Sequence, residues 1–243
     1  MEGFEHVLLS GVLFGIALIL VNLSLWGLNT YLSIAKVDLP PGGAIRILNQ
    51  TKGWWEYGTN MQAALSVAEQ TYRSYVTASA AILGAYSGAV VATGVTHWTS
   101  PISMAILNVY AFLVTGATTV LLSSAVYAVA AALAHTWPAL LPLGAVLVTY
   151  ERTRHLGAWL LAVSVVAPIV LAAGADVLIS AVKPGDVAAA AGLVTPFFAF
   201  SFPYVDAVLK AMIMLGLIGL TLGVLTYAAS RIFDHAGASL SLE

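Results

Sequence analysis

Between His6 and Ile34 the chain carries no Asp, Glu, Lys or Arg, and most of its positions are apolar. A run of that length and character crosses the roughly 30 Å hydrocarbon core of a bilayer when helical. Comparable runs recur downstream, and composition closes off the alternative of one large water-soluble core. Hydrophobic residues make up 60% of the 243 residues and charged residues 8%, with a mean hydropathy of +0.93. That leaves too little polar surface to cover a soluble core. The chain is read as an all-α, polytopic transmembrane helix bundle forming a single integral membrane domain over residues 1–243.

The expected elements follow from where the apolar runs break. The first span runs from His6 to Ile34 and stops before "DLPPGG" at Asp38–Gly43. The start, "MEGFEHVLLSG", lacks the basic region of a signal peptide, so this helix is expected to be retained. From Arg46 to Arg73 the sequence mixes aromatic and polar residues and predicts an interfacial helix, with Trp54, Trp55 and Tyr57 at the headgroup level. A second span is expected over Tyr75–Thr96 and a third over Pro101–Ala134. At 1.5 Å per residue the third would be about 50 Å long and must tilt or break. Thr136–Tyr150 contains Pro138 and Pro142 and, at roughly 22 Å, predicts a re-entrant or half-spanning hairpin. Leu156–Val182 forms a further span. The repeatedly interrupted stretch up to Tyr204 reads as a lid or shallow hairpin, and Val205–Ile232 is the last span, leaving a short tail.

Lys and Arg accumulate in cytoplasmic loops. Five full spans, with 136–150 returning to its own side, place Lys36, Arg46, Lys52, Arg73, Arg152, Arg154 and Arg231 inside. That is seven of the nine basic residues, against three for a six-span layout. The expectation is a plasma-membrane protein with its N-terminus out and C-terminus in. Asn49-Gln50-Thr51 is a glycosylation pattern that argues the other way, for an external first loop.

Ionisable residues within spans are the first candidates for function. Asp176 is either a buried proton or cation site or an acid near the interface that snorkels or caps a partner helix. Asp206 and Lys210 are spaced for an i,i+4 ion pair, and with Asp176 they could instead line a polar path. Glu69 and Arg73 share that spacing. His6, His97, His135, His155 and His235 are scattered, with no ligand pair on one helix face. With no cysteine, thiolate metal sites and disulfides are excluded. No hydrolase, metalloprotease or phosphate-loop motif occurs, so a non-enzymatic protein without catalytic residues, metal or cofactor is expected. Gly11/Gly15, Gly84/Gly88 and Gly219/Gly223 have the G-x-x-x-G spacing that lets helices approach closely, within one chain or between copies.

The segment "LPLGAVLVTYERTRHLGAWLLAVSVVAPIV" carries Leu141, Pro142, Gly144, Thr153, Arg154, Gly157 and Ala158. It resembles a segment of the archaeal polytopic membrane proteins of the CedA type, whose namesake is the membrane subunit of a crenarchaeal DNA-import system. Those are similar to the inner-membrane channel component of type IV secretion machines. The resemblance covers about 35 residues; over the rest it extends only to layout. It implies a channel or scaffold subunit of a conjugation-like DNA-transfer apparatus, working as a homo-oligomer in membrane lipid with a pilin and a hexameric ATPase. Arg152 and Arg154 would then meet single-stranded DNA or an acidic partner surface. Two arginines are too few for a DNA site unless several copies combine them. A small secondary transporter or ion channel, or an accessory subunit of a membrane complex, are the alternatives.

Overall fold

The computed structural model describes residues 2–34, 39–51, 56–95, 100–192 and 202–240, with side chains excepted at 2–3, 86–95, 100–114, 191–192, 202–205 and 240. Seven α-helices and no strand occur among the described residues: α1 Glu2–Ile34, α2 Ala44–Asn49, α3 Tyr57–Val95, α4 Ser100–Val148, α5 Arg154–Ala181, α6 Pro184–Gly192 and α7 Phe202–Leu240. Among the described residues, four stretches are long and apolar enough to cross a membrane: Phe4–Ile34, Thr115–Val148, Glu151–Ala181 and Asp206–Ser239. The fold is therefore an all-α bundle with four candidate spans. The second half of the span expected at Tyr75–Thr96 lies outside the residues whose side chains are described, as do Trp54 and Trp55.

The expected break at Thr136 does not occur. Residues 136–148 are the last turns of α4, which passes through Pro138 and Pro142 without ending. Both prolines lie on the exposed face of α4, four residues apart, while Trp137, Leu141, Ala145 and Val148 are buried. Each proline removes one backbone donor, and the buried face compensates. The Trp137 indole N–H donates to the Ser164 carbonyl at 2.8 Å, tying α4 to α5. Residues 233–240, beyond the end expected for the last span, continue α7 as helix.

The chain divides into two compact units. The first comprises Met1–Glu69, Val129–Asp176 and Ile218–Glu243; the second comprises Gln70–Ala128 and Val177–Leu217. At the heart of the first is the α4–α5 hairpin. A Cβ on Gly157 would fall 2.3 Å from the Val148 nitrogen, and one on Gly144 2.9 Å from the Leu161 nitrogen. Only glycine lets the two backbones come this close. The turn between them is a single 3-10 turn, Glu151–Thr153, closed by the Thr153 hydroxyl donating to the Leu147 carbonyl at 2.8 Å. α1 buries a narrow stripe, Leu13, Ala17, Val21 and Leu25, at four-residue spacing. On the first turns of α3, Tyr57, Met61, Ala64, Leu65 and Ala68 are buried, so the Tyr57 ring packs against protein.

In the second unit, Gly116 of α4 lies against Ile82 of α3, where an added Cβ would be 3.2 Å from the Ile82 side chain. Tyr75, fully buried, directs its hydroxyl at the last carbonyls of α5. It donates to Val182 O and also lies 3.3 Å from Leu178 O.

Candidate functional site

Asp176 is the most deeply placed acid among the described residues of the first unit, 2% exposed on α5. Its two carboxylate oxygens accept the backbone N–H groups of Ala44 at 2.9 Å and Ile45 at 2.8 Å. These are the first two residues of α2, whose N-terminal donors have no partner inside the helix. Gly43, just before α2, offers no side-chain cap, and Asp176 supplies the cap from 132 residues away. The "PPGG" sequence makes room for it. Gly42 takes the left-handed φ of 81° that turns the chain, and a Cβ on Gly43 would sit 2.6–2.8 Å from the Asp176 carboxylate. Of the two roles weighed for Asp176, this geometry builds the helix cap. Both oxygens are occupied by the protein's own backbone.

Asp206 and Lys210 pair with each other at 2.5 Å, both side chains more than half exposed. A salt bridge this open contributes little to stability. Glu69 and Arg73 do not form the ion pair their spacing allows, and Arg73 is exposed.

Arg152 is exposed, whereas Arg154 is half-buried. The Arg154 aliphatic stem lies beside Gly237 of α7, where an added Cβ would be 3.6 Å from its Cδ. The same turn gathers several other groups. His155 Nδ1 is 2.9 Å from Asp234 Oδ1 on α7, and the His6 ring of α1 stacks on Tyr150, centroids 4.9 Å apart. His135 and His235 are exposed and His97 lies outside the described residues. No group of three or more His, Asp or Glu suited to a metal is found among the described residues.

These contacts fix which segments share an end of the first unit. The start of α1, the turn at 150–155 and the C-terminal turns of α7 come together through His6, Tyr150, His155 and Asp234. α2 and the end of α1 lie at the other end of α5. Asp176 is 22 residues beyond Arg154, about 33 Å along the helix. Asn29 of α1 and Asn49 of α2 exchange amide hydrogen bonds at 2.6 and 2.8 Å. Charge counting set the first loop together with the Arg152/Arg154 turn; in the first unit a buried carboxylate holds α2 at the end of α5 away from that turn.

Among the described residues, the G-x-x-x-G glycines of α1 and α7 have no close neighbour. A Cβ at Gly11, Gly15, Gly219 or Gly223 would meet nothing within 4 Å. Only 17% of the spanning window of α1, and of α7, is buried, against 61% for α5. Sequence reasoning had no signal for the Asn29–Asn49 pair, the Trp137–Ser164 bond or the Tyr75 contact, since each joins residues 20 or more positions apart.

Comparison of the chain with family models, with curated proteins and with solved structures finds no match.

Proposed function

We propose that this chain is a non-catalytic membrane subunit that crosses the bilayer four times and works as a homo-oligomer. The observation that carries the reading is the pair of open glycine faces on α1 and α7. In lipid, helices associate through close packing at small residues, and such a face is completed by another helix. Within the chain the close approaches are made elsewhere, at Gly144 and Gly157, so the faces at Gly11/Gly15 and Gly219/Gly223 are left for a second copy.

With α1, α4, α5 and α7 crossing, both termini lie on one side. Six of the nine basic residues, Lys36, Arg46, Lys52, Arg73, Lys183 and Lys210, then fall at the opposite side, and Arg152, Arg154 and Arg231 beside the termini. The positive-inside rule turns the six inward and places both termini outside. Asn49 is then internal and is not glycosylated, which agrees with its amide being engaged by Asn29.

The class of assembly follows from the resemblance of residues 141–158 to DNA-import membrane subunits, with a pilin, a hexameric ATPase and single-stranded DNA as the partners it implies. The transporter reading gains no support from Asp176, whose carboxylate caps α2, or from Asp206 and Lys210, which pair with one another.

The test is particle mass in mild detergent, with co-purifying proteins identified by mass spectrometry. A multiple of the protomer that falls to a lone protomer in Gly15→Leu or Gly219→Leu is the expected result, and a pilin or hexameric ATPase in the particle would support the DNA-transfer class. A parent protein that is a lone protomer overturns the assembly reading and directs attention to flux measurements.

A further inference from the structure

The first unit carries its charge at two levels. At one, His6 stacks on Tyr150 and His155 pairs with Asp234. At the other, α2 joins Asn29 to the Asp176 cap. His6 and Asn29 lie 23 residues apart on α1, about 34 Å, close to the thickness of a hydrocarbon core. Within the parts of the four spans that belong to this unit, Asp, Glu, Lys, Arg and His occur near those two levels, with one exception, His135 of α4. His135 stands 13 residues before Val148, where α4 ends, which sets it about 20 Å inside the slab. Its side chain is exposed and has no polar partner among the described residues. Ionisable groups at such depth are costly in lipid and pair with protein groups, backbone carbonyls among them.

The same face of α4 offers the acceptors that an imidazole N–H needs. In a helix each carbonyl is bonded by the N–H four residues on, and proline has no N–H. Pro138 leaves the Ala134 carbonyl without its helical donor, and Pro142 leaves that of Pro138. Both prolines are exposed, and at 3.6 residues per turn they lie about 60° and about 20° around the helix from His135. The Thr136 hydroxyl does not serve these carbonyls, since its proton goes to Ala132 O at 2.8 Å. Proline-freed carbonyls are tolerated inside a membrane where a neighbouring helix satisfies them. Ala128, Ala132 and Ala139 are exposed on this face, and side chains that small let another backbone come close.

A donor at 135 and acceptors at 134 and 138 thus sit within about one turn on one surface. Copies of one chain share their orientation in a membrane, so a two-fold axis along the membrane normal sets each level of α4 against the same level of its mate. The donor of each copy then meets the acceptors of the other, and the bond is made twice. Lipid chains offer neither group.

We propose that two copies of the chain pack α4 against α4 across a two-fold axis, each His135 donating to a carbonyl that Pro138 or Pro142 leaves free in the other. The contact rests on the four-span reading and is separate from the glycine faces of α1 and α7.

The chain has no cysteine, so the test places one at Ala139 of the full-length protein, oxidises it in lipid-diluted vesicles and measures the disulfide-linked dimer. A dimer is expected with Ala139→Cys alone. Adding His135→Leu should lower its yield about ten-fold, the effect of losing two interhelical hydrogen bonds. His135→Gln, which keeps an N–H donor, should retain most of it. His135 is exposed, so the melting temperature of the protomer should persist in both variants. A parent particle that is a multiple of the protomer but gives no Ala139→Cys disulfide overturns this contact and leaves the oligomer standing; a lone protomer overturns both. An unchanged yield in His135→Leu overturns it as well. So does rapid reaction of Ala139→Cys with a charged, membrane-impermeant thiol reagent, which would make the face the wall of a water-filled passage. A disulfide that survives Gly15→Leu and Gly219→Leu supports the α4 contact while removing those glycines from the assembly.

Discussion

Replacing Asp176 by Ala separates the two roles that an acid in a spanning helix can have. The wild-type carboxylate accepts two backbone N–H groups at 2.9 and 2.8 Å. A hydrogen bond to a charged group contributes about 1.5–3 kcal/mol, and a buried donor left unpaired costs about 1–3 kcal/mol. Removing the carboxylate also relieves its own burial, which offsets part of the loss. The net expectation for Asp176→Ala is a destabilisation of about 3–5 kcal/mol. Asp176→Asn retains one carbonyl oxygen and can hold only one of the two donors, so about half that loss follows. The measurement is denaturant unfolding in detergent, paired with hydrogen exchange at the Ala44 and Ile45 amides. Both amides should lose protection in the Ala variant and one of them in the Asn variant. If both variants stay within about 0.5 kcal/mol of the parent with the amides still protected, the cap is wrong. If Asn also stops an ion flux that the parent supports, the polar path is restored.

The glycines make a matched pair of tests. Gly157→Ala drives a methyl to within 2.3 Å of the Val148 backbone and should cost about 2–3 kcal/mol by overpacking, whereas Gly219→Ala meets nothing and should be neutral or stabilising by up to about 1 kcal/mol through helix propensity; similar melting shifts for the two would refute the close α4–α5 approach. With no native cysteine in the chain, single cysteines at Gln50 and Arg152 in sealed vesicles should label from opposite faces, Gln50 from the inside and Arg152 from the outside. Labelling of both from one face would reinstate the five-span layout. Tyr75→Phe removes a buried hydroxyl from the α5 carbonyls and should destabilise by about 1 kcal/mol in thermal unfolding; no shift would mean the hydroxyl adds nothing to the anchoring of α3.

What the sequence could and could not disclose follows the reach of its signals. Apolar run length reports spanning capacity directly, and the helical class, the first span and the span beginning near Leu156 are all read from it. Pro138 and Pro142 misled because the cost of a proline depends on which face carries it. On the exposed side of a helix pinned by Trp137 and by the Gly144–Gly157 approach, two prolines leave α4 unbroken. Loop charge has a different limit. Lys and Arg counts weigh loops one at a time, while α2 is held at one end of α5 by a carboxylate 132 positions away. The two glycines of "PPGG" were legible as a turn, but that the second one clears a seat for Asp176 was not, since nothing local distinguishes the two.

The same reasoning bears on the residues that carry the resemblance. Gly144 and Gly157 are placed where two helix backbones touch, Thr153 closes the turn between them, and Ala158 is buried beside Gly157. A Leu-Pro-x-Gly stretch followed by Thr-Arg-x-x-Gly-Ala is thus a specification for a tight helical hairpin, and any membrane protein needing one would arrive at similar residues. Of the seven positions only Arg154 carries a charge, and its stem is packed near Gly237. The pattern therefore speaks first to how α4 and α5 fold together, and the DNA-transfer class proposed from it rests on which partners co-purify. A substrate has to be read from groups that the hairpin does not consume. In this chain the open glycine faces of α1 and α7 are such groups, and the oligomer proposed from them is the first thing to test.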